Sequence, residues 1–340
     1  MGLASLSAAA TTYAEARPVL MRSGDVGVPR EGYGFTGGTP ILALSDQALA
    51  TQLDAVVEAG GRWLRMPINW TLGEPDRGVR DWTTMDRVVE AARSRGLKVL
   101  GVLGSTPAWA RTGGTAASPP DDARDFGKFA KAAARHFQKK VRHWEVWNEP
   151  NHSSFFSGTV EEYAELLRRA HDAITRVRRR STIVVGGLAR SSYGSSTAPA
   201  DFLADLYAAG AKGYFDAVGA HPYLNAATAD LDERPVWDEV VGARKVMRRH
   251  GDRRHKVWIT EIGWSTWAAG WTQERAADQA FTLLQRAHDV SWVGLVVMYT
   301  IQDRGTNPLM VHENYGALLT VDGSPKVLLD RLIRTPTTAG

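Results

Sequence analysis

The residues WEVWNEPN, 144–151, begin as a strand and end as a loop. Trp144, Val146 and Trp147 have the aromatic and β-branched character of a packed, pleated segment. Asn148, Glu149, Pro150 and Asn151 are turn formers, and a proline cannot extend a hydrogen-bonded ladder. Asn148 and Glu149 therefore stand at the end of a buried strand. The same design recurs along the chain: short β-branched or aromatic runs occupy 32–42, 62–70, 98–105, 141–149, 181–189, 214–223, 256–264 and 292–303. Helical spacing of apolar residues marks 46–60, 83–96, 123–137, 160–177, 237–251 and 273–289, and several of these segments end in glycine. Eight strands alternating with helices predict an α/β fold, a (β/α)8 TIM barrel in a single domain, rather than an open doubly wound sheet. SPKVLLDRLIRTP, 324–336, supplies the last helix. The barrel is expected over 31–336. Residues 1–30 read as an N-terminal extension, disordered or left from a secretion signal, and 337–340 as a C-terminal tail.

Composition narrows the function. A chain of 340 residues that is 44% hydrophobic can bury a large core. A net charge of +4 is small for that size and asks for neither nucleic acid nor an anionic membrane as partner. The absence of cysteine excludes disulfides, thiol nucleophiles and zinc–thiolate sites. No apolar run approaches the roughly 20 residues of a membrane span. Twelve tryptophans are many for one domain, and part of that set is expected to serve a surface that wants flat apolar faces.

Barrel enzymes carry their chemistry at the C-terminal ends of the strands. Here those ends hold Arg65 and Asn69-Trp70 after the second strand, Ser105 to Trp109 after the third, and Asn148-Glu149 after the fourth. The sixth gives His221 and Tyr223, the seventh Glu261 and Trp264, the eighth Tyr299 and Asp303. A closed ring sets Glu149 and Glu261 across one mouth. Glycoside cleavage needs such a pair, one carboxylic acid to protonate the departing oxygen and one carboxylate to meet the anomeric carbon. A separation of roughly 5 Å gives retention and a wider one inversion.

WNEPN together with WITEIGWST resembles the acid/base and nucleophile strands of the clan A retaining glycoside hydrolases, and the surroundings resemble family 39 and related exopolysaccharide endoglycosidases most. The likeness spans about residues 32–334 and includes, in order, RWLRMPINW, the DW at 81–82, STPAWA, HPY and NYGALLTVDGSPK. It implies that Glu149 is the general acid/base, Glu261 the nucleophile and Asn148 a partner for the sugar hydroxyl beside the anomeric carbon. It also implies that Tyr223 or His221 orients Glu261 and that Arg65 lies beneath the pair. Where many relatives close the eighth strand with a tryptophan under the sugar, this chain has VVMYTIQD, so Tyr299 or Met298 fills that space.

Structural readings compete with several of these assignments. Glu145 shares the parity of Glu149 but lies four residues deeper, and it reads as a buried partner for an arginine such as Arg65. His221 fits a satisfied core histidine as well as a site residue. Trp70, Trp109, Trp264, Trp267 and Trp271 fit packing between barrel and helices one by one; as a set they are expected to include sugar-stacking platforms. The basic runs 176–180 and 248–256 read as solvated helix ends. GYGFTG lacks the strand before and the helix after that a dinucleotide loop requires, His312-Glu313 lacks the second histidine of a zinc motif, and there is no G-x-S-x-G. The expectation is a retaining O-glycosyl hydrolase with no metal or other cofactor. A rim of Phe155, Phe156, Trp264, Trp267 and Trp271 favours endo action on a polysaccharide or oligosaccharide by a secreted or cell-surface bacterial monomer. Exo action on a xyloside, uronide or arabinofuranoside stays open, as does a carbohydrate-binding barrel without turnover.

Overall fold

The computed structural model describes residues 26–190, 196–223, 234–266, 271–307 and 309–339. Eight parallel strands close into a barrel in chain order: β2 (Tyr33–Thr36), β3 (Trp63–Asn69), β4 (Lys98–Gly104), β5 (His143–Val146), β6 (Thr182–Ala189), β7 (Ala217–His221), β8 (Lys256–Ile262) and β9 (Val293–Tyr299). Each lies inside one of the eight runs named from the sequence. The ring closes where β2 pairs with β9, Tyr33 opposite Val296 and Thr36 opposite Tyr299.

The helices are α1 (Asp46–Glu58), α2 (Trp70–Gly73), α3 (Thr83–Ser94), α4 (Ala123–His136), α5 (Val160–Val177), α6 (Pro199–Ala208), α7 (Arg234–Arg249), α8 (Gln273–His288) and α9 (Val327–Arg334). Their starts follow local chemistry. Ser45, Asp122 and Thr272 cap α1, α4 and α8 through side-chain oxygens, and Thr159 with Glu162 forms a capping box on α5. Helix α6 is absent from the sequence reading, although Pro199 in its first turn and the buried set Phe202, Leu203, Leu206 and Tyr207 carry a helical spacing. None of the described helices is long and apolar enough to cross a membrane.

Two further strands, β1 (Val26–Val28) and β10 (Thr337–Ala339), pair in parallel beside the barrel, at the margins of the expected extension and tail. Residues 1–25 and Gly340 lie outside the described residues.

The barrel interior is layered. Its lower end is an apolar plug of Trp63, Leu100, Val184, Ala217, Trp258, Leu295 and Val297, with the rings of Trp63 and Trp258 5.6 Å apart edge to face. Above it lies a polar layer containing Arg65, Glu145 and Thr260, buried at 3%, 0% and 0% exposure. Charges held between a dry plug and a narrow mouth interact more strongly than they would in water.

Candidate active site

The chain leaves β5 in an uncommon conformation. Trp147 and Glu149 take left-handed backbone angles, φ 69° and 47°, which non-glycine residues seldom adopt outside functional sites. Three interactions hold them there. The Trp147 amide donates to Leu103 O at 2.7 Å, the Glu149 amide donates to Gly187 O at 3.1 Å, and the Trp147 indole donates to Phe155 O at 2.7 Å. The amide of Asn151 is tied at 2.7 Å to the carbonyls of Ala189 and Thr197, pinning the loop onto the end of β6. The result turns Asn148 and Glu149 over the barrel mouth.

β8 delivers Glu261 by a different device. Successive residues of a regular strand face opposite sides, yet Thr260 and Glu261 both reach the interior. The β8–β9 register shifts between Ile259 and Ile262, and that irregularity brings both inward.

The groups that meet at the mouth form one network. Arg65 is its hub: Nε donates to Glu145 Oε2 at 2.6 Å, Nη2 to Glu145 Oε1 at 3.1 Å and to Asn148 Oδ1 at 2.9 Å, and Nη1 to Glu261 Oε1. The Tyr223 hydroxyl donates to Glu261 Oε2 at 3.0 Å. His221, fully buried, lies 2.8 Å from Glu149 Oε1 through Nδ1, 3.9 Å from Glu261 Oε2, and 3.1 Å from the Thr260 hydroxyl through Nε2. Of the two residues expected to orient Glu261, Tyr223 makes the hydrogen bond, and His221 belongs to Glu149. Glu145 is the partner of Arg65, as its depth on the strand suggests.

Burial by itself would raise the Glu261 carboxyl. The charges of His221 and Arg65, with hydrogen bonds from Tyr223 and Arg65, outweigh it and hold that carboxyl below its usual value. Burial, followed by the Glu261 charge, pushes the Tyr223 phenol well above its usual value, so it stays a donor. Burial works against the charge on Arg65, and the Glu145 and Glu261 carboxylates more than offset it.

Glu149, His221 and Glu261 each bring one ligand-capable atom within 4.8 Å of the others. A divalent cation uses such spacings, but here a guanidinium and a phenol already occupy the Glu261 oxygens. The cluster is that of paired carboxylates.

Two cavities flank it. One of about 400 Å³ is bounded by Arg65, Asn148, Glu149, Glu261, Tyr299 and Arg304 among others; the second, about 240 Å³, by Glu149, His221, Tyr223, Arg190 and Tyr315. Both include Glu149, Phe155 and Tyr299. Of the two residues expected to fill the space at the end of the eighth strand, Tyr299 borders both cavities, while Met298 is 1% exposed and borders neither. Tyr223, Tyr299 and Tyr315 form a wall of mutually edge-on rings 5.7 to 6.2 Å apart.

Several expected platforms lie elsewhere. Trp70 opens α2 directly after β3, is fully buried, stacks on Phe129 of α4 at 5.5 Å and gives its indole N–H to Glu74. Trp109 packs edge-on against Trp70, donates to the Glu74 carbonyl and lies under Arg77. Trp264 and Trp271 are 8% exposed, Phe156 2%, and none of them borders either cavity. Trp267 lies outside the described residues. Among the described members of the aromatic rim, Phe155 is the exposed one at 45%, on the border of both cavities. The sequence reading passes over Thr260, Arg304 and Tyr315; Tyr315 and Arg304 sit in the long segment after β9, where no periodicity fixes a side chain's direction.

Comparison with known proteins bears on the family and the fold. The family model described as Cellulase (glycosyl hydrolase family 5) matches residues 31–298. A β-xylosidase of Caldicellulosiruptor saccharolyticus is 41% identical over 78 residues, 21% of this chain and 16% of that protein. Among solved structures, a family 39 glycoside hydrolase from Bacteroides cellulosilyticus WH2 superposes with a TM-score of 0.71 at 22% identity, over 90% of this chain and 63% of that one. A monomeric β-xylosidase from Caulobacter crescentus CB15 gives 0.67 at 20% identity, over 92% of this chain and 69% of that one. This chain therefore spans less than two thirds of the Bacteroides structure and a small part of the Caldicellulosiruptor protein. At these identities the superpositions speak for a shared fold. The family 39 likeness seen in the sequence returns there, while the family model is that of family 5.

Proposed function

This chain belongs to the cellulase family, glycosyl hydrolase family 5, and from that premise we propose an endo-acting retaining glycosidase with Glu261 as nucleophile and Glu149 as general acid/base. The observation that carries the roles is the approach of one oxygen of each carboxylate to within 4.8 Å of the other. A carboxylate pair at roughly 5 Å leaves no room for a water between Glu261 and the anomeric carbon, which is the geometry of double displacement.

In the first step a Glu261 oxygen bonds to the anomeric carbon as the glycosidic C–O bond breaks, and the proton of Glu149 goes to the departing oxygen. In the second, a water adds to the anomeric carbon, gives its proton to Glu149, and displaces Glu261 as a carboxylate. The low proton affinity of Glu261 suits both halves, since it is ionised for attack and leaves readily. Arg65 holds Asn148 by its Oδ1 and leaves the amide Nδ2 to donate to the adjacent sugar hydroxyl.

Endo action is supported by the two cavities that share Glu149, Phe155 and Tyr299, so that a chain has space on both sides of the acid. A polysaccharide substrate of that kind goes with action outside the cell or at its surface. A second reading, exo action on a small glycoside, is favoured by the similarity to a β-xylosidase over 78 residues. The deciding test is a screen of polysaccharides and aryl glycosides with NMR detection of the first-formed anomer. Retained configuration is expected, with loss of turnover in Glu261→Ala and recovery of Glu149→Ala by azide on activated substrates. An inverted product would remove Glu261 as nucleophile.

A further inference from the structure

Beneath the acid runs a chain of buried hydrogen bonds, Glu145 to Thr260 to His221 to Glu149, and its polarity can be worked out from the donors. Both oxygens of Glu145 face groups that can only donate: Arg65 Nε on Oε2, and Arg65 Nη2 and the Gly187 amide, the latter at 2.8 Å, on Oε1. Glu145 therefore accepts at both oxygens. The Thr260 hydroxyl, 3.0 Å from Oε1, must give its single hydrogen to Glu145. Having spent it, Thr260 can only accept from His221, so Nε2 of the imidazole carries a hydrogen. The 2.8 Å bond between Nδ1 and Glu149 Oε1 then requires one more proton, on either atom. Without it two lone pairs would face each other. Glu145, Thr260 and His221 are each 0% exposed, which leaves no solvent to supply another partner.

We propose that Thr260 and Glu145 are positioning residues that lock His221 in its Nε2–H form and so hold a proton in the His221–Glu149 bond, ready for the leaving group. The proposal rests on the reading of Glu149 as acid/base. The backbone enforces the geometry: a Cβ on Gly187 would come 2.0 Å from His221 Nε2, so a glycine there lets the ring lie flat against β6. The charged or titratable groups that surround the pair are Glu261 and, through it, Arg65; His152 from the loop after Glu149; Tyr223 on the strand end of His221; Tyr299 and Tyr315 from the segment after β9; and Arg190, on the border of the second cavity and ion-paired to Glu239 at 3.0 Å.

Loss of the Thr260 hydroxyl changes which proton is easiest to lose. In the native network, removing the shared proton leaves Nδ1 unprotonated against a carboxylate. In Thr260→Val the imidazole is free to move its hydrogen to Nδ1 and donate to Glu149, which makes the deprotonated pair stable. Nitrogen-15 NMR of histidine-labelled full-length protein tests this without a substrate, with His221 identified by the signal missing in His221→Gln. The wild type should show Nε2 protonated throughout, with the pair losing its proton about one pH unit higher than in Thr260→Val. Thr260→Val should show the Nδ1–H form above that midpoint, and Thr260→Ser should restore both tautomer and midpoint. A wild-type imidazole with bare Nε2, or a Thr260→Val midpoint equal to wild type, would overturn the proposal. The acid/base reading fails separately, by Glu149→Gln keeping its turnover while the imidazole signals behave as stated.

Discussion

The hydroxyl of Tyr223 donates to Oε2 of Glu261 at 3.0 Å while Arg65 holds Oε1, so the carboxylate is gripped at both oxygens and its orientation is fixed before any sugar arrives. A hydrogen bond to an ionised group contributes about 1.5–3 kcal/mol. Tyr223→Phe is expected to lower kcat about 10- to 100-fold with a smaller change in KM. It should also move the acidic limb of the rate profile to higher pH, because one of the influences holding the Glu261 carboxyl down is gone. The stability consequence has the same origin. A carboxyl lowered in the folded state stabilises the fold above its unfolded value, and that contribution disappears as pH falls through the folded one. The variant should therefore lose less stability than wild type on acidification over that range, measured by urea unfolding.

Arg65 is the more severe case. Its guanidinium is 3% exposed and shared by Glu145 and Glu261. Arg65→Met would leave two carboxylates facing each other in a dry interior with no cation between them. Breaking a buried ion pair from one side costs about 3–5 kcal/mol. Denaturant unfolding of Arg65→Met should show a loss of that order, and activity should fall below detection. Arg65→Lys keeps the charge but cannot reach Glu145, Asn148 and Glu261 at once, so it should recover stability in part and activity hardly at all.

The barrel is legible in the sequence because parallel strands buried on both faces read as unbroken apolar runs, and eight such runs at even spacing admit few other closures. The polar layer is legible in part. Glu145 is read from parity with Glu149 and does lie inward on β5, although the chain leaves the strand after Val146 and regular pleating does not carry the count to Glu149. Thr260 fails the same count: if Glu261 faces in, alternation puts Thr260 out, and only the shift in the β8–β9 register brings both to the interior. The tryptophans fail for another reason. Local sequence says that a ring is present, not which side of the strand end it covers, and Trp70 turns outward because α2 starts on it and carries it into α4. The pairing of β1 with β10 joins three-residue segments from opposite ends of the described chain, too short for any pattern to announce.

At the lower end of the barrel His143 sits edge-on to Trp63 at 4.6 Å, and burial, followed by the charge of Lys98, lowers its pKa from 6.5 to about 4. Here the sign is the reverse of a histidine that gains an acidic partner. Between these two values the unfolded chain binds a proton that the folded one refuses, so stability rises with pH across the window and is lost as pH falls from about 6.5 to about 4. The contribution of the shift is about 3 kcal/mol. His143→Phe removes that titration. Its unfolding free energy, compared with wild type at pH 7 and again at pH 4, should improve by about that amount on the acid side. An equal difference at both pH values would mean that the imidazole is not kept neutral by the plug.

Phe155 decides between the two substrate readings. It is 45% exposed, borders both cavities, and its carbonyl accepts from the Trp147 indole, so the ring's place follows the loop that presents Glu149. An exposed phenyl at that border gives an apolar face to a sugar unit beyond the acid, and its ring stands edge-on to His152 at 5.4 Å. If a polysaccharide threads both cavities, Phe155→Ala removes one stacking contact, of order 1 kcal/mol, and should raise KM for the polymer about fivefold with kcat nearly unchanged. The same substitution should cost an aryl glycoside less, because a substrate occupying only the 400 Å³ cavity meets the ring from one side. Equal losses on polymer and aryl glycoside would instead favour exo action, with Phe155 closing the end of a pocket. Because the Trp147–Phe155 bond is made by the backbone carbonyl, the alanine keeps it, and unfolding of the variant should match wild type within about 0.5 kcal/mol.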